Sequence, residues 1–410
     1  MRASFFNDLV DRHLHGVIVW FAFSLLCACA GSPPATEPPP GGGPLEGFRV
    51  LTYNTLHGLE VGSFWVRPGE SKAERTERFK HQYAQLAVVQ PDLILLQEVN
   101  PLPEKAQAYV DAMRSFGLEY SAIHQADACG IRLGRGLIPG LNNGLAVLAK
   151  SPLRLRKLSG LKLSGGLGGC TDLVGFQTGA HRYALIAEVE NPGTGNKILA
   201  VSLHLHSGIE RSEFFIRQIR EAKAQGQLPD PEHFDKLLAA LVADQDRRIG
   251  EIRTLMQELK RLKAQAQQDY LSVIIGGDFN FEPDSPEYRE LELAGLQDSH
   301  AIAQHETELH TYDPQNPIAG YEKEALPAAL TRAIRGLPES RRRNIIAEYR
   351  KGVSEPRRID FLFTMQGSSP WTREVCMQQE LFGMPHPESV VTGSDHYGLL
   401  NTYIFDREHC

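Results

Sequence analysis

Short apolar runs recur along the chain from residue 48 onward, and each is followed by polar or turn-forming residues. The runs with the length and composition of strands span residues 48–56, 92–99, 144–153, 182–190, 197–207, 273–280, 357–364 and 397–405. Charged and apolar residues at helical spacing fill residues 75–90, 104–116 and 210–268. Because strands outnumber helices and do not alternate strictly with them, the pattern predicts α+β layers rather than a doubly wound sheet.

Polar side chains stand at or near the ends of these predicted strands. In chain order they are Asn54, Glu98, His204, Asp278, Asn280, Asp360, Asp395 and His396. Residues i and i+2 of a strand point to the same face, so Asp278 and Asn280 present a carboxylate and an amide together. Each residue alone has an ordinary structural explanation, because Asp and Asn also cap helices and form turns. Their recurrence on successive strands predicts one polar site at the mouth of a sheet.

The motifs that contain these residues are similar to those of a known superfamily. They are YNTLHG, LQEVN, SLHLHS, GGDFNFEP, RRIDFLF and SDHYGL. In this order they resemble the endonuclease/exonuclease/phosphatase superfamily, and the resemblance covers residues 48 to about 406. It implies a four-layered α/β sandwich, in which two packed, mostly antiparallel sheets have helices outside. It also implies metal-dependent hydrolysis of a phosphoester bond by an activated water.

The resemblance implies a metal site formed by Glu98, Asn54 and Asp395. Mg²⁺ prefers oxygen ligands, usually one or two carboxylates with water and the phosphate of the substrate. Glu98 is therefore expected to be the principal ligand, with Mn²⁺ as an alternative ion. Asn54 would bind the metal directly or through water. Asp395 would bind the same ion or a second one.

The resemblance implies catalytic roles for five residues: His396, Asp360, His204, Asp278 and Asn280. His396 would deprotonate the attacking water and Asp360 would orient its ring, although Asp360 could instead pair with a basic neighbour. Asp278 is the second candidate for the general base. Asn280 would donate to a phosphate oxygen. His204 would donate to the phosphoryl oxygens or protonate the leaving group.

The substrate class is less clearly marked than the chemistry. Asn143 either contacts the substrate phosphate, as the resemblance implies, or forms a turn before Gly144. Three segments resemble those of neutral sphingomyelinases. They are SLHLHS with the charged segment after it, residues 295–300 and residues 311–319. A phosphodiesterase acting on phospholipid head groups is thus the leading interpretation. The alternatives are an exported deoxyribonuclease or other nuclease, a small-molecule phosphatase, and a non-catalytic binding lipoprotein.

Composition and charge limit the possible partners. The chain is 42% hydrophobic and 23% charged, and its net charge of −7 is unlike that of a protein built to coat DNA. Two helical insertions, near residues 208–268 and 328–358, are predicted to flank the site. The arginine-rich segment 341–358 either binds nucleic acid or an anionic membrane, or is a solvated helix of mixed charge. No obligate protein partner is inferred.

The N-terminal segment precedes the catalytic domain predicted for residues 48–410. The apolar run 17–28 is too short to span a bilayer and is typical of a signal peptide. Residues 1–29 end in a sequence that resembles a bacterial lipobox with Cys29 as the lipidated residue, and cleavage near Ala30 is the alternative. Residues 30–47 form a tether rich in Pro and Gly. We therefore expect an exported protein, either lipid-anchored to a bacterial membrane or secreted.

Export would also allow cysteines to oxidise. If Cys29 is lipidated, the cysteines left after it are Cys129, Cys170, Cys376 and Cys410. Four cysteines allow three pairings. Proximity in sequence favours Cys129 with Cys170 and Cys376 with Cys410.

Overall fold

Two six-stranded sheets and a small three-stranded sheet organise the chain. The computed structural model describes residues 47–56, 70–128, 131–133, 143–170, 174–177, 181–208, 212–226, 231–266, 270–303, 308–319, 330–331, 334–335, 338–366, 376–384 and 392–404. The predicted signal peptide, the lipobox with Cys29 and the tether up to residue 46 lie outside the described residues. One compact unit extends from Glu46 to Cys410.

The strands have the following bounds in chain order. They are β1 (Gly47–Asn54), β2 (Leu93–Val99), β3 (Tyr120–Ala128), β4 (Ile131–Leu133), β5 (Asn143–Lys150), β6 (Arg154–Ser164), β7 (Gly168–Cys170), β8 (Val174–Gln177), β9 (Arg182–Glu190), β10 (Lys197–His204), β11 (Ser272–Asp278), β12 (Gln297–Asp298), β13 (Asp360–Gln366), β14 (Cys376–Phe382) and β15 (Gly398–Ile404). The first sheet has the order β14-β15-β1-β2-β5-β3, and the second has the order β12-β13-β11-β10-β9-β6. The third sheet has the order β4-β8-β7.

Helices pack outside the sheets. They are α1 (Lys72–Val89), α2 (Glu104–Ser115), α3 (Ser212–Ala224), α4 (Pro231–Gln265), α5 (Pro286–Leu293), α6 (Ser299–Ile302) and α7 (Glu339–Gly352). Helix α1 begins three residues before the apolar periodicity suggests, because Ser71 and Glu74 form a capping box at its start. Two mixed sheets with helices outside confirm the predicted α/β sandwich.

The two large sheets share an apolar core in which residues such as Leu95 and Ala200 are fully buried. They come into close contact at Gly276. A Cβ atom there would lie 2.7 Å from Leu95 Cδ1 and 2.9 Å from Thr52 Cβ of the other sheet, so a larger residue would push the sheets apart. This contact explains why a glycine stands inside the apolar run that leads to Asp278.

The region predicted as one long helical insertion contains two helices. Helix α3 ends before Gly226, whose φ of 67° does not continue a helix. Helix α4 has 35 residues and is therefore about 50 Å long. Its later half packs on the second sheet through residues such as Leu255 and Leu259.

The earlier half of α4 belongs to a separate apolar cluster. Leu237 and Leu241 of α4 pack with Ile216 of α3. Leu330 and, from α7, Tyr349 belong to the same cluster. We call α3, residues 231–242 of α4, residues 330–331 and 334–335, and α7 the helical cap. The cap therefore joins the two predicted insertions into one small core of their own. Among the residues that the structure describes, no helix has the length and apolar character needed to cross a membrane.

Candidate active site

The polar strand ends meet at one edge of the sandwich. Parallel strands β1 and β2 pair Asn54 with Gln97 at their carboxyl ends, and Glu98 is the next residue of β2. In the second sheet, His204 at the end of β10 pairs in register with Asp278 at the end of β11. Asp278 also pairs with Asp360, the first residue of β13. Strand register alone therefore brings groups from distant parts of the chain to the same place.

Glu98 reaches the site through an irregularity in β2. The register between β2 and β5 shifts between Leu96 and Val99, and Glu98 lies in this shift with a φ of 57°. Such a bulge re-aims a side chain, and a left-handed backbone at a non-glycine residue costs about 1–3 kcal/mol. Asn280 is held in the same region of backbone space, with a φ of 54°. Strain at two candidate site residues is typical of positions that the surrounding structure holds for function.

Asn54 connects the carboxylates of the two sheets. Its Nδ2 donates to Glu98 Oε1 at 3.3 Å and to Asp278 Oδ2 at 3.1 Å. Its Oδ1 accepts a hydrogen bond from the backbone N–H of Leu56 at 3.1 Å. This geometry favours a role in aligning the two carboxylates over direct ligation of an ion through Oδ1.

His396 and Asp360 form a buried hydrogen-bonded pair. His396 Nδ1 lies 2.8 Å from Asp360 Oδ2, and the backbone N–H of Asp360 donates to Thr311 Oγ1 at 3.0 Å. The ring of Tyr312 packs edge-on against the imidazole, with centroids 5.3 Å apart. Because Asp360 holds Nδ1, the other ring nitrogen is left facing Asp278, with Nε2 at 3.9 Å from Asp278 Oδ2.

The basic neighbours of Asp360 have other partners. Arg358 donates to Asp298 Oδ2 at 2.6 Å, and the guanidinium of Arg357 lies 4.8 Å from the centre of the Tyr312 ring. Strand β13 also begins three residues later than the apolar pattern predicts, because Arg357 pairs with Tyr312 across an isolated bridge. Asp360 therefore directs its carboxylate to His396.

Burial and charge shift the pKa values of the central groups. Burial and the neighbouring carboxylate of Asp360 raise the pKa of Asp278 to about 7. Burial alone would lower the pKa of His396, but Asp360 and Asp278 reverse this effect and raise its pKa well above its ordinary value. Two groups so close titrate as a pair. Their pKa values therefore belong to the pair and not to either group alone.

His204 and His206 point to different places. His204 Nε2 lies 3.5 Å from Asp278 Oδ2, and its Nδ1 lies 4.0 Å from Glu98 Oε1. His206 Nε2 instead lies 3.0 Å from Asp244 Oδ1 on α4. Only the first histidine of the SLHLHS motif therefore joins the polar site, while the second fastens α4 beside it.

The remaining predicted residues surround this centre. Asn280 Nδ2 donates to the carbonyl of Leu205 at 3.1 Å, which leaves one of its two N–H groups for another acceptor. Asp395 Oδ1 accepts from Ser394 Oγ at 3.1 Å. Asn143 borders the same cavity, and its Oδ1 is buried with no partner among the described residues.

A buried arginine supports the site from beneath. The side chain of Arg78 in α1 is 2% exposed, and its Nε lies 2.7 Å from Glu70 Oε1. Arg78 Nη1 donates to the carbonyls of Thr55 at 3.0 Å and Gly393 at 3.4 Å. Arg78 thus ties the segment that follows β1 to the segment that carries the SDHYGL motif.

The assembled groups border a cavity of about 510 Å³. The catalytic side of this cavity is lined by Glu98, His204, Asp278, Asn280, Asp395 and His396. Its other walls carry Arg182 at the start of β9, Arg217 of α3 and Arg289 of α5. Asn54 and Asp360 lie behind the lining residues and act on them through hydrogen bonds.

Residues 51–396 match the Endonuclease/Exonuclease/phosphatase family. The chain belongs to this family. The match spans every polar strand end described above, from Asn54 to His396. The protein is therefore a member of a family of phosphoester hydrolases, as its motifs predicted. No curated protein matched the chain.

Solved structures with related folds cover most of the chain at low identity. An endonuclease/exonuclease/phosphatase family protein from Bacteroides thetaiotaomicron is 15% identical, with a TM-score of 0.50, over 88% of this chain and 98% of that one. D. rerio TDP2 complexed with a single-strand DNA product is 17% identical, with a TM-score of 0.49, over 87% and 99%. The mannosyl-6-phosphatase of Bacteroides thetaiotaomicron is 14% identical, with a TM-score of 0.49, over 87% and 99%. The first of these neighbours shows the shared fold.

The donor set of this family member fits a divalent cation. Asp278, Asp360 and His396 can each direct a donor atom so that all three lie within 4.8 Å of one another. Asp360 Oδ1 is buried without a hydrogen-bond partner among the described residues, and burial together with the carboxylates of Asp360 and Glu98 raises the pKa of Asp278. Because Asp360 and His396 are occupied with each other, the side of the pocket that carries Glu98 is the better place for the ion. The assignment of Glu98, Asn54 and Asp395 to Mg²⁺ stays a prediction.

Several supporting residues were not identified from the sequence. Thr311 and Tyr312 lie in the stretch TYDPQNPIA, whose similarity to neutral sphingomyelinases implies a substrate class but no role for either residue. Ser394 lies inside the SDHYGL motif and donates to the carbonyl of Asn54 at 2.7 Å. Arg78 carried no signal at all, because an arginine in a helix is ordinarily solvated.

Proposed function

We propose that this protein hydrolyses a phosphodiester bond in a phospholipid head group, as the sphingomyelinase-like members of its family do, with Mg²⁺ or Mn²⁺ as cofactor. The observation that carries the proposal is the buried Asp360–His396–Asp278 constellation at the floor of a cavity of about 510 Å³. Small-molecule sites typically have volumes of about 300–1,000 Å³. A head group fits such a cavity better than a nucleic acid duplex does.

The side chains of the pocket have complementary tasks in this reaction. A divalent cation beside Glu98 would polarise a phosphoryl oxygen and offset its charge. The Asp278–His396 pair takes the proton of the attacking water as its oxygen bonds to phosphorus. Asp360 holds His396 Nδ1 and keeps Nε2 directed at the reacting atoms. His204 and the remaining N–H of Asn280 donate to the phosphoryl oxygens, or His204 protonates the departing oxygen.

A small-molecule phosphatase is the second candidate, because the same enclosed cavity would take a phosphate monoester. A nuclease is less well supported, since the net charge is −7 and the pocket is walled by the helical cap. A non-catalytic binding lipoprotein would not need His396 hydrogen-bonded to Asp360.

The location proposed for the protein is outside the cytoplasm, anchored through Cys29 or secreted. The short apolar run 17–28 supports export. Cys170 is disulfide-bonded, which is consistent with an oxidising compartment. The predicted partners Cys129 and Cys410 lie outside the described residues, and the pairings stay predictions.

The decisive experiment measures hydrolysis by the purified protein with Mg²⁺ and with EDTA. The substrates are sphingomyelin-containing vesicles, vesicles of an anionic phospholipid, and plasmid DNA, each with a His396→Ala control. Metal-dependent release of a phosphorylated head group that is lost in the variant would support the proposal. Nicking of DNA with no action on vesicles would replace it with a nuclease.

A further inference from the structure

Three arginines on the walls of the pocket lack the carboxylate partners that other arginines of this protein have. Among the residues that the structure describes, no acidic side chain pairs with Arg182, Arg217 or Arg289. Arg182 donates to Ser207 Oγ at 3.4 Å, and its Nε is buried without a partner. Because guanidinium groups bind phosphate and carboxylate strongly, unpaired ones on a pocket wall are suited to an anionic ligand.

Nearby carboxylates are engaged with other groups. Glu287 lies 2.8 Å from Arg248 Nε, and Glu213 accepts a hydrogen bond from Gln245 Nε2 at 2.8 Å. Glu282 also has a partner of its own. Asp284 is exposed, and Glu213 keeps its negative charge because Gln245 is neutral. None of these carboxylates forms an ion pair with Arg182, Arg217 or Arg289 among the described residues, so the three guanidinium groups stay available to an anionic ligand.

The three arginines come from separate elements that enclose one cavity. Arg182 begins β9, Arg217 lies on α3 of the helical cap, and Arg289 lies on α5. None of them belongs to the motifs that carry the reaction. The scissile phosphate must lie beside Asp278 and His396, so these arginines are free to contact another part of the substrate.

We propose that Arg182, Arg217 and Arg289 form a second anion subsite that binds a phosphate group on the non-scissile part of the substrate. The inference rests on the proposed function and narrows it to phosphoesters that carry a further phosphate. Such a group occurs both in phosphorylated lipid head groups and in free sugar bisphosphates. The zwitterionic head group of sphingomyelin would use this subsite poorly.

The test compares ligands that differ only by the second phosphate. Glucose monophosphate and glucose bisphosphate provide the free pair, and vesicles of phosphatidylglycerol and of phosphatidylglycerol phosphate provide the lipid pair. Binding is measured by calorimetry and vesicle sedimentation in the His396→Ala background with Mg²⁺, so that turnover does not interfere. The subsite predicts that the ligand with two phosphates binds about tenfold or more tightly than its partner. If only the lipid with two phosphates binds more tightly than its partner, the natural ligand is a membrane lipid. If only the glucose bisphosphate does so, the natural ligand is a soluble phosphoester.

Substitutions then test whether these arginines cause the tighter binding of the ligand with two phosphates. Arg217→Gln and Arg289→Gln should each reduce this preference at least threefold, and the affinity for the monophosphate should stay unchanged. Arg261→Gln is the matched control, because Arg261 is exposed on α4 and paired with Glu258 away from the pocket. Equal affinity for the two ligands of each pair would overturn the proposal. It would also be overturned if Arg217→Gln lowered the affinity for the monophosphate and for the bisphosphate by the same factor. Tighter binding of a single-stranded oligonucleotide than of either bisphosphate would also overturn it.

These outcomes are separable from those of the proposed hydrolysis. Binding is read without turnover, so a bisphosphate preference in a protein that hydrolyses nothing would support the subsite and reject the reaction. Metal-dependent hydrolysis without any preference for a second phosphate would support the reaction and reject the subsite.

Discussion

The catalytic edge of the two sheets and the helical cap face the same pocket, but they hold their polar side chains differently. At the catalytic edge, Asp360, Asp278 and His396 have exposures of 0%, 2% and 7%, and Asp360 and His396 are hydrogen-bonded to each other. On the cap, Arg217 is exposed and has no partner among the described residues. Groups that perform chemistry are thus fixed before substrate arrives, whereas a group that selects the substrate is left available to it.

The two regions also differ in the cores that support them. The sheets enclose a large apolar core that contains fully buried residues from both layers. The cap relies on a small cluster that includes Ile216, Leu241 and Tyr349. A smaller core has less apolar surface to stabilise it. The cap should therefore be the less stable of the two regions.

The largest expected effect comes from removing the imidazole at the catalytic edge. His396→Ala should lower kcat by about 10²–10⁴-fold, because general acid–base catalysis contributes about that much. Thermal unfolding should show that the variant remains folded. His300→Ala is the control, since His300 is bonded to Gln379 away from the pocket and should leave kcat unchanged. Equal kcat for His396→Ala and the parent protein would remove His396 from the mechanism.

The next effect is on stability and comes from Arg78 beneath the site. Arg78→Met should destabilise the protein by about 3–5 kcal/mol, because it breaks the buried ion pair with Glu70 and removes hydrogen bonds to the carbonyls of Thr55 and Gly393. It should also lower kcat, because the two segments that Arg78 joins carry Asn54 and Asp395. Denaturant unfolding and kinetics measure the two effects. A kcat that is unchanged in Arg78→Met would show that Arg78 acts only on folding.

The catalytic edge was more predictable from the sequence than the cap, and the reason is physical. The period of strands places Asp278, His204 and Glu98 at or near strand ends, and the resemblance to the endonuclease/exonuclease/phosphatase superfamily implies their roles. Strand register brings Asp278 and His204 together, and the irregularity in β2 brings Glu98 to them. The sequence does not identify Arg217, because nothing distinguishes an unpaired arginine on a helix from the paired arginines nearby. That distinction depends on which carboxylates the fold brings close.

Other features were missed because they depend on contacts distant in sequence. Strand β13 begins at Asp360 rather than 357 because Tyr312 pairs with Arg357, and no local pattern reports this pairing. A glycine, Gly226, follows α3 and is typical of a helix end. The charged residues on both sides of it have helical periodicity, so the sequence pattern predicts one helical segment where the structure has two helices. The buried position of Arg78 depends on carbonyls contributed by two separate loops.

Truncating one leucine in each core tests the difference between the regions. Leu95→Ala in the sheets and Leu241→Ala in the cap should each cost about 2–5 kcal/mol locally. Leu95→Ala should lower the midpoint of global unfolding. Leu241→Ala should instead raise KM with little change in kcat, because it disturbs the wall that carries Arg217. Unfolding midpoints and steady-state kinetics provide the comparison, and a fall in kcat for Leu241→Ala would mean that the cap also positions the reacting groups.

The smallest expected effect is on stability, and it comes from Glu188, a carboxylate of the second sheet that does not border the pocket. Burial opposes ionisation of Glu188, but hydrogen bonds from Arg156 and Tyr270, each at 2.9 Å, lower its pKa overall. A depressed pKa stabilises the folded state above the unfolded value of about 4.3, and this stabilisation is lost as pH falls through the lower folded value.

Glu188→Gln should therefore cost about 1 kcal/mol at neutral pH, the net value of an ordinary hydrogen bond. The difference from the parent protein should shrink as pH falls below about 4.3, because both proteins then carry a neutral group at this position. Urea midpoints measured across this range test the sign. Glu190→Gln on the same strand is the matched control, because Glu190 is more exposed and its contact with Arg154 at 3.5 Å lies at the surface. A difference that stays constant with pH would show that Glu188 stabilises the sheet through packing alone, while kcat should be unchanged in both variants because neither residue borders the pocket.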